Sequence, residues 1–426
     1  MRFCNSPIIN FYQKQGIQIM KKSVVVSCGA IALTILSGCC FTEKPAPAPA
    51  PVPAVKAELP RQKMMFLPEA IYAVPGLECN IYFKNIFLAA NQSNFLYDVK
   101  CNYGKQELKR WTYNPADKEA GKSFPLQITV SDQFGNTVAS GKTTVYVSST
   151  KAALNREISI LMIGDSLTNA TVYPTRLHEL CRASNAPKLK MIGSHSGSGR
   201  KVSPGGVAHE GYGGWKWQTF MTKYNPNATG RYKYASCSKF LFPQADGKLV
   251  FDVNKYLEKY NKGAKPDIVT FQLGVNDVFW GNKDNLDKYC ADILTNADKL
   301  IAEFRKVLPN AIFGVGFVTQ GADQDAFGHN YKCGQTAWDY YRNSMRLNQL
   351  MQKHFASYND PKLFMIPVSV ALDTENNFPA RKIAVNSQNT NEVMRQNNGV
   401  HPAAAGYRQM GDAYYAWIKY ILSQKM

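Results

Sequence analysis

From Glu157 onward, short apolar runs alternate with longer stretches of helical period, and this alternation restricts the fold more than any other feature of the chain. Ile158–Ile163, Leu189–Ile192, Ile268–Leu273, Ile312–Val318 and Phe364–Val368 are mostly apolar on both faces, as strands covered on both sides must be. Tyr173–Arg182, Leu286–Val307, Thr336–Ser357 and Ala404–Leu422 carry apolar residues at helical spacing. Such alternation predicts a parallel sheet with helices on both faces, a three-layer α/β/α arrangement. Ligands in these sheets bind beyond the carboxyl ends of the strands. The stretches 195–208 and 223–264, rich in Gly, Ser, Lys and Tyr, read as long insertions at that rim.

Residues 61–150 follow a different period. Cys79–Leu88, Leu126–Ser131 and Thr143–Val147 alternate apolar and polar side chains, and Asp132-Gln-Phe-Gly-Asn supplies a hairpin turn. The segment predicts a small all-β sandwich preceding an α/β domain over 151–426. It reads as a spacer or a carbohydrate-binding module. At 426 residues the chain is long enough for two domains with their own cores, and 45% hydrophobic residues exclude a disordered chain.

The first 60 residues predict export. Lys21 and Lys22 precede the apolar stretch Val24–Leu36, too short for a comfortable membrane span, and Leu36-Ser37-Gly38-Cys39 follows. That tetrapeptide resembles the bacterial lipoprotein cleavage motif. The resemblance implies a signal peptide over 1–39, a lipid on Cys39, and a membrane-anchored protein of the cell envelope or cell surface, and because residues 1–19 fit no export pattern the expected translation start is Met20. Residues 40–60 are an extended Pro/Ala-rich tether. Export permits disulfides, and Cys79 with Cys101 is the expected pair.

The net charge of +19 suits an anionic polysaccharide or membrane surface, and equally a solubilising surface. No Lys/Arg stripe or nucleic-acid motif is present, so no nucleic-acid partner is expected. His178, His195, His329 and His354 have no metal-ligand spacing with each other or with the cysteines, so neither metal nor cofactor is expected. Trp215, Trp217, Trp280 and Trp338 fall near rim loops, where they either stack on sugar rings or pack the loops.

Four segments carry chemistry. The first predicted strand runs into Gly164-Asp165-Ser166-Leu167, presenting a hydroxyl at the rim. His209-Glu-Gly-Tyr-Gly-Gly214-Trp215 is a glycine-rich loop. Gly274-Val-Asn276-Asp277 follows the strand Ile268–Leu273, and Asn398-Gly-Val-His401-Pro402 precedes the last helix. With Ser, Gly, Asn and His in this order, residues 157–424 resemble the SGNH (GDSL) hydrolase family. The resemblance implies an esterase in which Ser166 is the nucleophile and His401 the general base. It also implies an oxyanion hole made of the N–H groups of Ser166 and Gly214 and the side-chain amide of Asn276. The chemistry suits the residue types. A serine needs a base to become nucleophilic, and histidine titrates near neutrality.

One position departs from the family pattern. Its usual Asp, three residues before the His, is Asn398 here, so the candidate catalytic set is Ser166, His401 and an uncharged Asn398. Asn398 could accept the imidazole N–H through its amide oxygen. Alternatively, Asp373, Glu375 or Glu392 substitutes for the missing acid, or the site has lapsed and the protein only binds carbohydrate. Retained activity is the favoured expectation, on acyl and most naturally acetyl esters of extracellular carbohydrate. Lipase or thioesterase activity is the variant within the same chemistry.

Overall fold

The computed structural model describes residues 65–183, 186–324 and 335–424. The expected signal peptide, Met20, Cys39 and the 40–60 tether lie outside the described residues.

Seven strands come first: β1 (Ala70–Ala73), β2 (Cys79–Tyr82), β3 (Phe95–Lys100), β4 (Lys105–Gln106), β5 (Arg110–Tyr113), β6 (Ser123–Asp132) and β7 (Thr137–Val147). They form a four-stranded sheet in the order β1-β7-β6-β3 and a three-stranded sheet in the order β2-β5-β4. Alternation on β6 turns Phe124, Leu126, Ile128 and Val130 inward. Across from them, Tyr113 of β5 meets Phe124 edge-on, 5.5 Å between ring centroids. The β6–β7 turn falls where the sequence places it, with Asp132 Oδ1 accepting the N–H groups of Phe134 and Asn136 at 2.9 Å. Two expectations fail in this region. Cys79 and Cys101 are free thiols rather than the expected pair. The strand expected over Cys79–Leu88 ends at Tyr82, where the chain enters a 3₁₀ turn, Phe83–Asn85.

The α/β part begins with β8 (Glu157–Gly164), followed by α1 (Ser166–Asn169), α2 (Val172–Leu180), β9 (Lys188–Ile192) and β10 (Glu210–Gly211). A short helix α3 (Thr219–Thr222) precedes the second rim insertion, which holds a hairpin of β11 (Leu241–Pro243) and β12 (Leu249–Phe251), and α4 (Val253–Asn261). Then come β13 (Ile268–Gln272), α5 (Leu286–Val307), β14 (Ile312–Gly316), α6 (Ala337–Ala356), β15 (Leu363–Ile366) and α7 (Val368–Ala371). A hairpin of β16 (Ala380–Ala384) and β17 (Glu392–Gln396) leads to α8 (Ala404–Ser423).

The central sheet is wholly parallel, in the order β10-β8-β13-β14-β15, with β9 pairing the first half of β8. Its helices lie on both faces, as neighbouring residues of β13 show. Phe271 packs against Phe304 of α5, 5.6 Å between centroids, while Gln272 accepts the Tyr414 hydroxyl of α8 at 2.9 Å. Successive strand residues point to opposite faces, so α5 and α8 cover opposite sides. The β sheets do not stand apart from this framework. The described residues form one compact unit, and one apolar core runs through both parts. Tyr72 of β1 packs on Tyr420 of α8 at 4.7 Å, and Phe66 on Phe317 at 4.8 Å.

Gly164 ends β8 where α1 folds back onto the sheet. A Cβ there would lie 1.9 Å from Thr168 Oγ1 and 2.7 Å from Thr168 Cβ. Forcing a methyl into a packed site of this kind typically costs about 1–3 kcal/mol. Gly164→Ala is therefore expected to lower unfolding stability by at least about 1 kcal/mol in urea denaturation, whereas an unchanged midpoint would show that α1 can move freely.

Candidate active site

Three neighbouring strands deliver three of the four segments to one rim. Gly164 of β8 pairs with Gly211 of β10 on one side and Gln272 of β13 on the other. The turn after β8 is held from both sides, since Tyr212 N donates to Gly164 O at 3.0 Å and Asp165 N to Gln272 O at 3.3 Å. Asp165 then caps α1, its Oδ1 accepting Leu167 N at 2.8 Å. Ser166 is the first residue of that helix.

The fourth segment arrives from the far end of the chain. His401 Nε2 lies 2.7 Å from Ser166 Oγ, within hydrogen-bond range. Among the described residues, no hydrogen bond is donated by the main-chain N–H of Ser166 or of Gly214. Gly214 has φ +76°, a conformation glycine adopts without strain, and a Cβ there would meet no atom within 4 Å. Asn276 Nδ2 donates to Trp215 O at 3.0 Å, tying the segment after β13 to the glycine loop and leaving a second amide hydrogen. The four segments thus place a hydroxyl, an imidazole and three N–H donors at adjacent strand ends.

Burial sets the electrostatics. His401 is pushed below the ordinary histidine value by desolvation. Asp165 and Asp277 flank Ser166 and Asn276 in sequence and are buried. Desolvation raises Asp165 to about 8, with repulsion from Asp277 adding to the effect. Asp277 is raised to about 7, again by desolvation, against the opposing pull of Lys216. Each leaves one carboxyl oxygen without a hydrogen bond.

Asn398 Oδ1 accepts the backbone N–H groups of Val400 at 3.1 Å and His401 at 2.9 Å, so its amide oxygen shapes the turn that carries the histidine. The three substitute carboxylates have other partners or positions. Asp373 caps its own loop through the N–H groups of Glu375 and Asn376, Glu375 pairs with Lys109 at 2.6 Å, and Glu392 is exposed on β17. Trp215 and Trp217 pack the core, whereas Trp280 and Trp338 are exposed. Among the described residues, no three His, Cys, Asp or Glu side chains are placed to hold a metal, and no helix is long and apolar enough to cross a membrane.

Two groups shape the site that sequence reading did not single out, and a third it left undecided. Glu210 is fully buried, accepting Tyr256 OH at 2.7 Å, Ser194 Oγ at 2.9 Å and the Tyr212 hydroxyl, directly beneath the glycine loop. Thr171 adopts φ +68°, unusual for a β-branched residue. It is held there because its hydroxyl accepts Gly197 N at 2.8 Å and donates to Asn169 O at 3.1 Å. His209 Nδ1 accepts Gly211 N at 3.1 Å, which leaves Nε2–H to donate to Thr171 Oγ1 at 2.9 Å. His209 is therefore structural, and burial drives it down to about 3. The only sequence signal for the network is the proximity of these residues to Ser166 and Gly214.

A family model described as GDSL-like Lipase/Acylhydrolase matches residues 160–414. No curated protein matches the chain. Among solved structures, a family 3 carbohydrate esterase from Clostridium thermocellum is similar at 19% identity and a TM-score of 0.35, covering 63% of this chain and 100% of that one. A carbohydrate acetylesterase family member from Sinorhizobium meliloti is similar at 13% identity and 0.34, covering 63% and 100%. A lipase/acylhydrolase from Enterococcus faecalis is similar at 13% and 0.32, covering 62% and 96%.

Because desolvation is what moves His401, its imidazole is expected to titrate below 6.5, which proton NMR can follow against pH. A midpoint at or above that value would mean that a carboxylate acts on the ring and outweighs burial.

Proposed function

The chain belongs to the GDSL-like lipase/acylhydrolase family and is a carboxylic ester hydrolase, and from that premise we propose that it removes acyl groups, most naturally acetyl, from extracellular carbohydrate by a Ser166–His401 mechanism. The observation that carries the mechanism is the 2.7 Å contact between His401 Nε2 and Ser166 Oγ. A site that only bound sugar would have no need of that contact, nor of an imidazole held neutral by burial.

In the proposed reaction Ser166 Oγ attacks the ester carbonyl carbon while its proton passes to His401 Nε2. The carbonyl oxygen becomes an oxyanion and is met by the N–H groups of Ser166 and Gly214 and the amide of Asn276. As the C–O bond to the alcohol breaks, His401 gives its proton to the departing oxygen. Water then attacks the acyl-serine, His401 takes its proton, and collapse releases the carboxylic acid and returns the proton to Ser166. His401 must be neutral to begin. A pKa below 6.5 keeps it so at neutral pH and moves the rise of kcat/KM with pH below that value.

The carbohydrate assignment rests on sequence features: the export-type N-terminus, the Cys39 lipidation motif and tether, and the net charge of +19. On this reading the protein works in the cell envelope, anchored through Cys39, with the β segment 61–150 and the hydrolase segment 151–426 exported together. The absence of a long apolar lid in the sequence argues against the lipase variant.

Ser166→Ala should reduce hydrolysis of a chromogenic acetate ester to background. Asn276→Ala should lower kcat by about 10²–10³ if its amide meets the oxyanion. Retention of parent turnover by Ser166→Ala would end the proposal. Acetate release from a panel of acetylated glycans, compared with longer-chain lipid esters, tests the substrate class. Asn398→Asp keeps an oxygen for the two backbone N–H groups and adds a charged one. It is expected to raise kcat or leave it unchanged, and a sharp loss would reveal a role specific to the amide.

A further inference from the structure

The β sheets meet the catalytic framework on the side of the His401 loop, and several contacts there are polar. Asn85, in the turn after β2, is fully buried. Its Nδ2 donates to Ser369 O at 2.9 Å and Leu372 O at 2.7 Å, at α7 and the loop that follows it. Next to it, Lys84 forms an ion pair with Asp323. Lys109, just before β5, pairs with Glu375 at 2.6 Å. Residues of the β sheets thereby grip two segments of the framework, 322–324 and 369–375.

These two segments are what the His401 loop rests on. Ala322 N donates to Gly399 O at 3.0 Å, two residues before the histidine. Gln324 and Gln396 exchange paired bonds, Gln324 N to Gln396 Oε1 at 2.9 Å and Gln396 N to Gln324 Oε1 at 2.7 Å. Gln396 Nε2 also donates to Thr374 O and Glu375 O, both at 2.8 Å. Asp323 N donates to Thr374 O at 3.2 Å, which joins the two segments to each other. Beyond the histidine, Ala403 N donates to Asn377 O at 2.9 Å. A continuous set of bonds therefore runs from Asn85 and Lys84 through these segments to residues on both sides of His401.

We propose that the β layer positions the catalytic base: Asn85 and Lys84 fix the two segments that carry the His401 loop, and so hold Nε2 within reach of Ser166 Oγ. Asn85 and Lys84 are positioning residues, since neither touches the reacting atoms. The inference rests on the reading of His401 as base and adds a role for residues 61–150 other than spacing or sugar binding. Its leverage comes from the steep dependence of such reactions on geometry, where a displacement of about 1 Å can cost on the order of 10²-fold in rate.

The test uses the full chain carrying Asn85→Ala, Lys84→Ala, His401→Ala or Ile128→Val. Ile128 is buried in β6 and belongs to neither segment, so Ile128→Val controls for general weakening of the β layer. Each variant is assayed well below its melting transition for kcat and KM on a chromogenic acetate ester. The rate of Ser166 labelling by an organophosphate is measured too, because it reports nucleophile activation with little dependence on substrate binding. Asn85→Ala is expected to lower kcat and the labelling rate together by about tenfold or more, with KM within about twofold, on the scale expected for a displaced base. Lys84→Ala should shift both in the same direction by less, and Ile128→Val should match the parent. If Asn85→Ala does not fold, Lys84→Ala carries the test, since its ion pair is partly exposed. Parent kcat and labelling in the folded Asn85 or Lys84 variant would overturn the inference, as would an equal loss in Ile128→Val. If His401→Ala is inactive while the Asn85 and Lys84 variants keep parent activity, only the positioning role fails. Parent activity in His401→Ala would remove the base assignment and the inference with it.

Discussion

The candidate site depends on how closely α1 approaches the sheet. Thr168 is wedged between two strands that both present glycine: a Cβ on Gly164 would fall 1.9 Å from Thr168 Oγ1, and one on Gly211 2.7 Å from Thr168 Cβ. With side chains at either position, the first turn of α1 would be lifted away from β8 and β10. Ser166 leads that turn and lies 2.7 Å from His401 Nε2, a contact that such a shift would lengthen. A steric allowance at two strand ends therefore sets where the hydroxyl sits, and the hydrogen bonds around it refine a position already imposed.

Around that contact the interior is unusually polar. Asp165, Asp277 and Glu210 are buried within a few residues of Ser166, Asn276 and Gly214. Glu210 is surrounded by hydroxyl and N–H donors, which compensate its burial. The two aspartates are less fully bonded and are raised instead, to about 8 and about 7. Burying such groups costs stability unless they are bonded or neutralised. These groups lie in the loops at the end of the central strands, where Thr171 is also kept in a backbone conformation that β-branched residues rarely adopt.

The sequence made the framework legible because the framework is periodic. The continuous apolar runs at 158–163 and 268–273 and the helical spacing at 286–307 each encode an element locally, and those elements are found within a residue or so of where they were read. The four segments were legible as short motifs that present Ser, Gly, Asn and His in that order along the chain. What escaped notice depends on contacts distant in sequence. Asn85 ends β2 early because its amide finds carbonyls at 369 and 372, nearly 300 residues away. The free state of Cys79 and Cys101 is a matter of tertiary placement, which spacing does not encode. Of the two roles open to Trp215 and Trp217, the packing one holds, and the course of their loop is set by Glu210 and Asn276, which spacing does not encode.

The raised aspartates bear on the oxyanion as well as on stability. In the proposed reaction a substrate oxygen gains a full negative charge beside Ser166, the residue immediately after Asp165. While Asp165 and Asp277 keep protons, neither opposes that charge. Once the solution is alkaline enough to ionise them, two anions buried in a poorly screened interior oppose its formation. The same residues that cap α1 and brace the asparagine loop would then work against the oxyanion as the solution becomes alkaline.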